Sequence, residues 1–240
     1  SDIPKSIERI NKAIDRKEKI IVYSDYDADG VSATAVLWET LKFFGADVLP
    51  YVPDRISEGY GLNVTAIKKL FADNVSLIIT VDHGVTAKKQ VEFAKKLGVD
   101  VIITDHHIIP EEKPAPYAFV HTTELAGCGV AFKLAYEFAK TKKAESIVFP
   151  KIELVALATI ADLVPLNHYN RALVKFGLEE LNRTKRPGLK VLIENSKLKL
   201  GEIESWHIGH VIAPKINASG RLENAIQSLR LLCTENSENA

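Results

Sequence analysis

Three carboxylates stand on alternate residues in the stretch SDYDADG, residues 24–30, and a glycine ends it. Acids this close, here Asp25, Asp27 and Asp29, repel one another unless a cation shares them. The pattern D-x-D-x-D-G also opens an EF-hand calcium loop, which needs a glutamate at its twelfth position. That position is Val36, and the preceding run KIIVY indicates a buried strand rather than a helix. The stretch therefore predicts a different cation site, with a solvated acidic turn as the alternative.

Acids and imidazoles also follow two later apolar runs. Asp82 and His83 come directly after LIITV, and Asp105, His106 and His107 come directly after VDVIIT. One acid at such a place is readily explained as the N-cap of the next helix. Three strand ends that carry acids and histidines to one crevice would repel one another strongly without cations. A metal cluster is the simpler interpretation.

A further acid, Asp162, ends the apolar stretch LATIA. The dipole of a helix disfavours an anion at its carboxyl terminus, and a bound cation would offset that cost. A solvent-facing turn residue is the alternative. Carboxylate and imidazole ligands without thiolate suit Mn²⁺, Mg²⁺, Fe²⁺ or Zn²⁺, and this mixed set favours manganese. The ligands are too many for one ion, which predicts a metal pair of the kind that hydrolyses phosphodiesters.

The elements that must position these residues alternate between strand and helix. Strands are predicted at 19–24, 46–51, 76–81, 99–104 and 117–120, and helices at 5–16, 31–44, 64–73, 86–97 and 128–141. This alternation predicts an α/β fold, a mainly parallel sheet flanked by helices, whose ligands bind at the carboxyl ends of the strands. Helices are predicted beyond about 149, at 151–160, 170–182, 188–194 and from 221 onward. We expect an α/β core over 1–145 and a mainly helical part over 146–240.

Composition narrows the function classes. The 240 residues are 46% hydrophobic and 26% charged, as in ordinary globular proteins. The 31 basic and 31 acidic residues balance, so binding to nucleic acid must rely on a local surface. No apolar run reaches membrane-spanning length and the amino terminus is polar, which predicts a cytoplasmic protein without a membrane partner. Cys128 and Cys233 match no zinc spacing and are not expected in a site.

Eight motifs in a fixed order carry a family resemblance. They are SDYDADG (24–30), RISEGYGLN (55–63), TVDHG (80–84), TDHH (104–107), ELAGCGVAFKLA (124–135), ATIADLVPL (158–166), GLEELNRTKRPGL (177–189) and APKINASGRLENA (213–225). Together they resemble the DHH phosphoesterase family, most closely its RecJ branch of single-strand-specific exonucleases. The motifs extend over nearly the whole chain. The chain ends soon after the INASGR motif, and we expect it to lack the family's second DHH-associated domain and the OB domain of longer RecJ proteins.

The resemblance implies roles for individual residues. The implied ligands of two divalent ions, with Mn²⁺ favoured and Mg²⁺ as the alternative, are Asp27, Asp29, Asp82, Asp105, His106 and Asp162. The implied catalytic residues are His107, Asp105 and Arg221. The implied contacts to substrate phosphates are Arg55, His107, Asn217, Ser219 and Arg221, and for both arginines an ordinary ion pair is the alternative. Asp25 and His83 are expected to support the ligands from behind. His83 departs from the residue that RecJ proteins more often have, and an additional ligand, a substrate contact and a neutral variation are its alternatives.

The implied function is metal-dependent 5′→3′ hydrolysis of single-stranded DNA in DNA repair, recombination or replication. Replication or repair proteins are candidate partners. Basic residues expected along the path of the strand, or else on a solvated helix face, are Arg171, Lys175, Arg183, Lys185, Arg186 and Lys190. Two other functions stay open: a phosphodiesterase for short oligoribonucleotides or cyclic dinucleotides, and a RecJ-like binding protein of the replisome.

Overall fold

A computed structural model describes residues 2–54, 58–222, 225–236 and 238, with the side chains of 219–222 excepted. Arg55 and the side chains of Ser219 and Arg221 lie outside the described residues. Five parallel strands form one sheet in the order β2-β1-β3-β4-β5. They are β1 (Lys19–Tyr23), β2 (Val48–Tyr51), β3 (Val75–Val81), β4 (Asp100–Asp105) and β5 (Ala118–His121). The predicted α/β fold with a mainly parallel sheet is confirmed.

Helices cover both faces of the sheet. Those of the first part are α1 (Ile3–Asp15), α2 (Ala28–Phe43), α3 (Val64–Ala72), α4 (Lys88–Lys96) and α5 (Gly127–Thr141). Neighbouring strands pair in register, with Ile21 opposite Ile78 and Ile78 opposite Val101. Side chains alternate across the sheet, so Ile20 and Val22 join the core under α2 and α5, whereas Ile21 joins the core under α3 and α4. Burial on both faces explains why these strands are continuous apolar runs.

The second part of the chain is helical. After two short 3₁₀ turns it contains α6 (Ile152–Ala161), α7 (His168–Leu181), α8 (Pro187–Asn195), the single turn α9 (Ser205–His207), α10 (Ala213–Leu222) and α11 (Ile226–Cys233). The sequence of α6, IELVALATIA, is apolar on every side because the helix packs against α2, α5 and α7. Its nearly complete burial holds the carboxyl end of α6, and with it Asp162, in a set position. Residues of both predicted parts share one hydrophobic core, and the division at 145 stays a prediction.

Several elements differ from prediction. Helix α2 begins at Ala28 rather than at 31, because Asp27 caps it and accepts a hydrogen bond from the Gly30 N–H. Helix α10 was not predicted, since Pro214 and a glycine-containing motif indicate a loop. A π-helical segment, Ile208–Ile212, leads into α10, and a proline in a first helical turn is tolerated. The last helix begins at Ile226 instead of 221.

Within the described residues, no helix combines the length and the apolar character needed to cross a membrane.

Candidate metal centre

The first wall of the site is the junction of β1 and α2. Asp27 is the N-cap of α2, and its Oδ1 accepts the Gly30 N–H at 2.9 Å. Asp29 lies in the first turn of the same helix, where the helix dipole favours an anion. A Cβ at Gly30 would lie 2.6 Å from the Cβ of Asp25, so this glycine lets the chain fold back tightly on itself. The SDYDADG stretch therefore places its acids through a local strand-to-helix turn.

The carboxylate of Asp29 faces the amino terminus of α5. Its Oδ2 accepts the Gly127 N–H at 2.7 Å, and its Oδ1 accepts the Cys128 N–H at 2.6 Å. Burial and the charge of Asp27 raise the pKa of Asp29 well above its usual value, although both N–H groups act against this. The Cys128 thiol is buried and free, and it is the backbone N–H of this residue that contacts Asp29. Sequence reasoning missed this backbone contact, and the signal for it was Gly127, which permits a close approach of the backbone.

Asp82 ends β3 in a left-handed backbone conformation, with φ at +65°. Its own N–H donates to the Thr104 carbonyl at 3.0 Å, which turns the side chain inward beside the end of β4. A Cβ at Gly127 would lie 2.3 Å from the Asp82 Oδ1, so glycine at that position makes room for this acid. Burial and the charges of Asp29, Asp27 and Asp25 raise the pKa of Asp82 well above its usual value. A cation would relieve this repulsion.

Asp105 holds the DHH segment in place. Its Oδ1 accepts the N–H groups of His106 and His107 and the ring Nδ1 of His107, and its Oδ2 accepts the Val85 N–H at 2.8 Å. Burial alone would raise the pKa of Asp105, yet hydrogen bonds from the His107 ring and from backbone N–H groups lower it to about 2. The same ring contact raises the pKa of His107. Asp105 thus positions His107, and its implied role as a metal ligand stays a prediction.

His106 is the centre of the cluster. Its Nε2 lies 3.2 Å from the Asp82 Oδ1, 3.6 Å from the Asp162 Oδ2 and 3.9 Å from the Asp29 Oδ2. Burial and the charge of His107 lower the pKa of His106, which favours the neutral ring that metals bind. Burial also raises the pKa of Asp162, and the charge of His106 acts in the opposite direction. About a third of the Asp162 side chain is exposed.

The residues present fit divalent metal ions. Among the described residues, three groups have ligand atoms within 4.8 Å of one another: Asp82 with His106 and His107, Asp29 with His106 and Asp162, and Asp25 with Asp27 and Asp82. Buried polar atoms normally have hydrogen-bond partners. The Asp82 Oδ1 and the His106 Nε2 are buried and have no hydrogen-bond partner in the described part of the chain. Two orphaned ligand atoms at the point where the groups meet are what a cation site requires.

Asp25 and His83 lie on the inner side of the cluster. The Nε2 of His83 lies 3.1 Å from the Tyr23 carbonyl, and burial lowers the pKa of this histidine to about 4. Burial and the charge of Asp27 raise the pKa of Asp25 to about 7. Because Asp25 shares a group with Asp27 and Asp82, it lies closer to the ligand atoms than a purely supporting residue would. His83 belongs to none of the three groups.

Among the implied substrate residues, Asn217 lies on α10 and contacts the first wall of the site. The Oδ1 of Asn217 accepts the Ala28 N–H at 2.7 Å and so joins the INASGR motif to the start of α2. Among the basic residues expected along the strand path, Arg186 is wrong, because its side chain is 14% exposed and pairs with Glu39 and Glu153. Arg183 is exposed but pairs with Glu180. The guanidinium of Arg186 is therefore occupied inside the protein.

Comparisons with known proteins agree with this geometry. The profile of the DHH family, N-terminal domain, matches residues 19–159, more than half of the chain. The chain belongs to the DHH family. The single-stranded-DNA-specific exonuclease RecJ of Bacillus subtilis is 46% identical over 239 residues, which are 96% of this DHH chain and 30% of that protein. This DHH chain thus spans less than a third of the length of that curated relative.

Solved structures show the same fold. A crystal structure of exonuclease RecJ bound to manganese matches with a TM-score of 0.92 and 33% identity, over 100% of this DHH chain and 63% of that chain. RecJ from Thermus thermophilus in complex with Mn²⁺ matches with a TM-score of 0.87 and 31% identity, over 100% of this chain and 36% of that chain. The Thermus protein in complex with Mg²⁺ gives a TM-score of 0.72 at 30% identity, over 100% and 32%. The resemblance to the RecJ branch is confirmed.

Proposed function

We propose that this DHH chain carries the metal centre of a 5′→3′ exonuclease for single-stranded DNA that acts in DNA repair, recombination or replication. The observation that carries the proposal is the cluster of acids around two buried ligand atoms without partners, the His106 Nε2 and the Asp82 Oδ1. The RecJ relatives, named as single-strand-specific exonucleases and solved with Mn²⁺ or Mg²⁺, support the same chemistry. A cytoplasmic location and partners from replication or repair stay predictions.

Two divalent ions, Mn²⁺ by preference and Mg²⁺ as the alternative, belong to this proposal. Their ligands would be Asp27, Asp29, Asp82, Asp105, His106 and Asp162. When bound, such ions lower the pKa of water and neutralise charge on phosphate oxygens. The backbone N–H groups of Gly127 and Cys128 keep the Asp29 carboxylate aimed across the site while it binds. Ligands held in this way need little reorganisation.

His107 would contact the phosphate. The ionised Asp105 accepts the Nδ1–H of His107, which sets the tautomer and leaves the Nε2 for a phosphate oxygen. The raised pKa of His107 favours the protonated ring, whose charge stabilises the negative charge that develops on those oxygens. Arg55 and Arg221 would add guanidinium contacts, which suit phosphate because they are permanently charged and bidentate. Asn217 and Ser219 complete this set.

The decisive experiment compares substrates and ends. Single-stranded DNA labelled at either end, duplex DNA, short RNA and cyclic dinucleotides are incubated with Mn²⁺, with and without a chelator. We expect early release of the 5′ label as a mononucleotide from single-stranded DNA, and no release from the other substrates. His106→Gln should abolish both cleavage and high-affinity Mn²⁺ binding, whereas the matched variant His210→Gln, on an exposed helix position, should change neither.

Three other outcomes would contradict the proposal. Activity confined to short RNA or cyclic dinucleotides would assign a small-substrate phosphodiesterase. Mn²⁺ binding without hydrolysis of any of these substrates would favour the replisome binding protein. Cleavage that starts at the 3′ label would contradict the proposed polarity.

A further inference from the structure

Helix α7 has an exposed face with two chemically different edges. At 3.6 residues per turn, Tyr169 and Phe176 lie within about 20° of each other, and Arg171 and Lys175 lie within about 40° on the other edge. The opposite face of α7 is buried and packs on α6. Tyr169 is 73% exposed and Phe176 is 49% exposed. Aromatic residues thus line one edge of the exposed surface of α7 and basic residues line the other edge, about 130° away around the helix axis, and this surface is called here the α7 face.

Isolated exposed aromatics and solvated cations are common on proteins. The α7 face differs because its members are grouped. Arg171 and Lys175 form no ion pair with any other described residue, whereas Arg183, at the end of the same helix, pairs with Glu180. The Lys175 Nζ lies 5.9 Å from the centre of the Phe176 ring. Both cations are therefore available to a ligand, and Lys175 lies beside one of the two aromatic rings.

The α7 face begins a short segment after Asp162. A cavity of about 250 Å³ between the segment after Asp162 and the start of α7 is lined by Val164, Pro165 and Tyr169, among others. The Nδ2 of Asn170 donates to the Glu124 carbonyl at 2.7 Å and to the Pro165 carbonyl at 3.0 Å. These bonds tie the start of α7 to the loop that leads into α5, whose first N–H groups bind Asp29. The surface and the metal centre are thus held in one arrangement.

We propose that the α7 face binds single-stranded nucleic acid next to the nucleotide at the metal centre. This inference rests on the proposed function, since the same strand occupies both places. Bases stack on Tyr169 and Phe176 at one edge, and the phosphates of the same nucleotides contact Arg171 and Lys175 at the other edge. Stacking on aromatic rings tolerates any base sequence, and paired cations follow a phosphate backbone. From Tyr169 to Phe176 the helix rises about 10 Å, which suits a few nucleotides rather than a long tract.

The test separates the two edges. Binding of a fluorescein-labelled oligo(dT) with hydrolysis-resistant phosphorothioate linkages is measured by anisotropy with Mn²⁺ at several salt concentrations. The variants are Tyr169→Ala/Phe176→Ala and Arg171→Gln/Lys175→Gln. The matched control is Phe71→Ala/Lys95→Gln/Lys96→Gln, which removes exposed residues of the same kinds from α3 and α4, on the other face of the sheet. Thermal melts confirm that each variant is folded.

Each double variant should weaken binding about tenfold, and the control should leave it unchanged. The Gln variant should also reduce the slope of log K against log salt by about 1.4, because each single-strand phosphate contact contributes roughly 0.7. Hydrolysis of bis(p-nitrophenyl) phosphate, which has no bases or neighbouring phosphates, should stay unchanged in both variants. This pattern assigns the α7 face to the strand.

Binding equal to wild type in both double variants would overturn the inference, and so would an equal loss in the control. Equal competition by poly-glutamate would overturn it in favour of an acidic protein partner. A wild-type protein that binds oligo(dT) through α7 but hydrolyses no phosphodiester refutes the proposed function and leaves the inference standing. Hydrolysis of single strands, together with oligo(dT) binding that neither variant weakens, supports the proposed function and overturns the inference.

Discussion

Gly127→Ala tests how the metal centre is assembled. The added Cβ would lie 2.3 Å from the Asp82 Oδ1 and 2.6 Å from the Asp82 Cγ, whereas real Cβ contacts are essentially never shorter than 3.0 Å. Asp82 has little freedom to yield, because it is buried and its backbone N–H is bonded to Thr104. The start of α5 must therefore move by about 0.7 Å, from 2.3 to 3.0 Å. Such a shift carries the N–H groups of Gly127 and Cys128 away from Asp29.

Two effects on stability oppose each other. Overpacking of a dense site costs about 1–3 kcal/mol, and the better helix propensity of alanine offsets about 1 kcal/mol of this cost. We expect a net loss of about 0–2 kcal/mol, which lowers the Tm by several degrees at most for a domain of this size. Loss of hydrogen bonds that orient metal ligands typically costs 10- to 100-fold in metal affinity. Metal binding should therefore suffer much more than folding.

The assay measures both quantities. Free Mn²⁺ is titrated by electron paramagnetic resonance, and unfolding is followed by circular dichroism without metal. Gly209→Ala is the matched control, because its Cβ would meet the Ile160 Cγ2 at an ordinary 3.6 Å. Wild-type Mn²⁺ affinity in Gly127→Ala would refute the reasoning, and so would an equal loss of affinity in Gly209→Ala.

Three further predictions concern single residues. Asp105→Asn should lower the free energy of unfolding by about 2–4 kcal/mol, because an amide cannot accept all the N–H groups now bonded to both carboxylate oxygens. Urea titrations measure this change, and a loss below about 1 kcal/mol would contradict the prediction. Burial raises the pKa of Glu39, but the hydrogen bonds and charges of Arg186 and Lys151 lower it to about 2. The ionised Glu39 therefore stabilises the folded state by up to about 3 kcal/mol. This stabilisation is complete above pH 4.5 and is lost as the pH falls towards 2. Urea titrations at pH 7 and pH 3 should therefore show a difference between wild type and Glu39→Gln that shrinks at pH 3, and a constant difference would refute the assignment. Leu163 is 85% exposed and has a φ of +55°, a backbone conformation that asparagine tolerates better than leucine. Leu163→Asn should therefore raise the Tm slightly. A lower Tm would show that the leucine side chain is needed for folding.

Much of the fold follows from local patterns. The apolar β-branched runs of β1, β3 and β4 are strands buried on both faces, and their alternation with helices permits few arrangements other than a parallel sheet. The acids that end these strands were expected at one edge, and the structure brings Asp29, Asp82 and His106 together there. Local reasoning fails at α10, because Pro214 and Gly220 have low helix propensity and the packing of this helix against α6 and α11 is not visible in the sequence.

By itself the sequence determined which residue types end the strands, that they suit divalent metal ions, and which family the chain resembles. The tertiary structure alone decided which groups meet. Asp29 accepts N–H groups 98 and 99 residues away, and Asn217 accepts one from Ala28, 189 residues away. It also decided that Asp105 positions His107 and that Arg186 is buried in a salt-bridge cluster. The reason is that spacing along a chain specifies local conformation, whereas contacts between distant segments follow from how whole helices and strands pack.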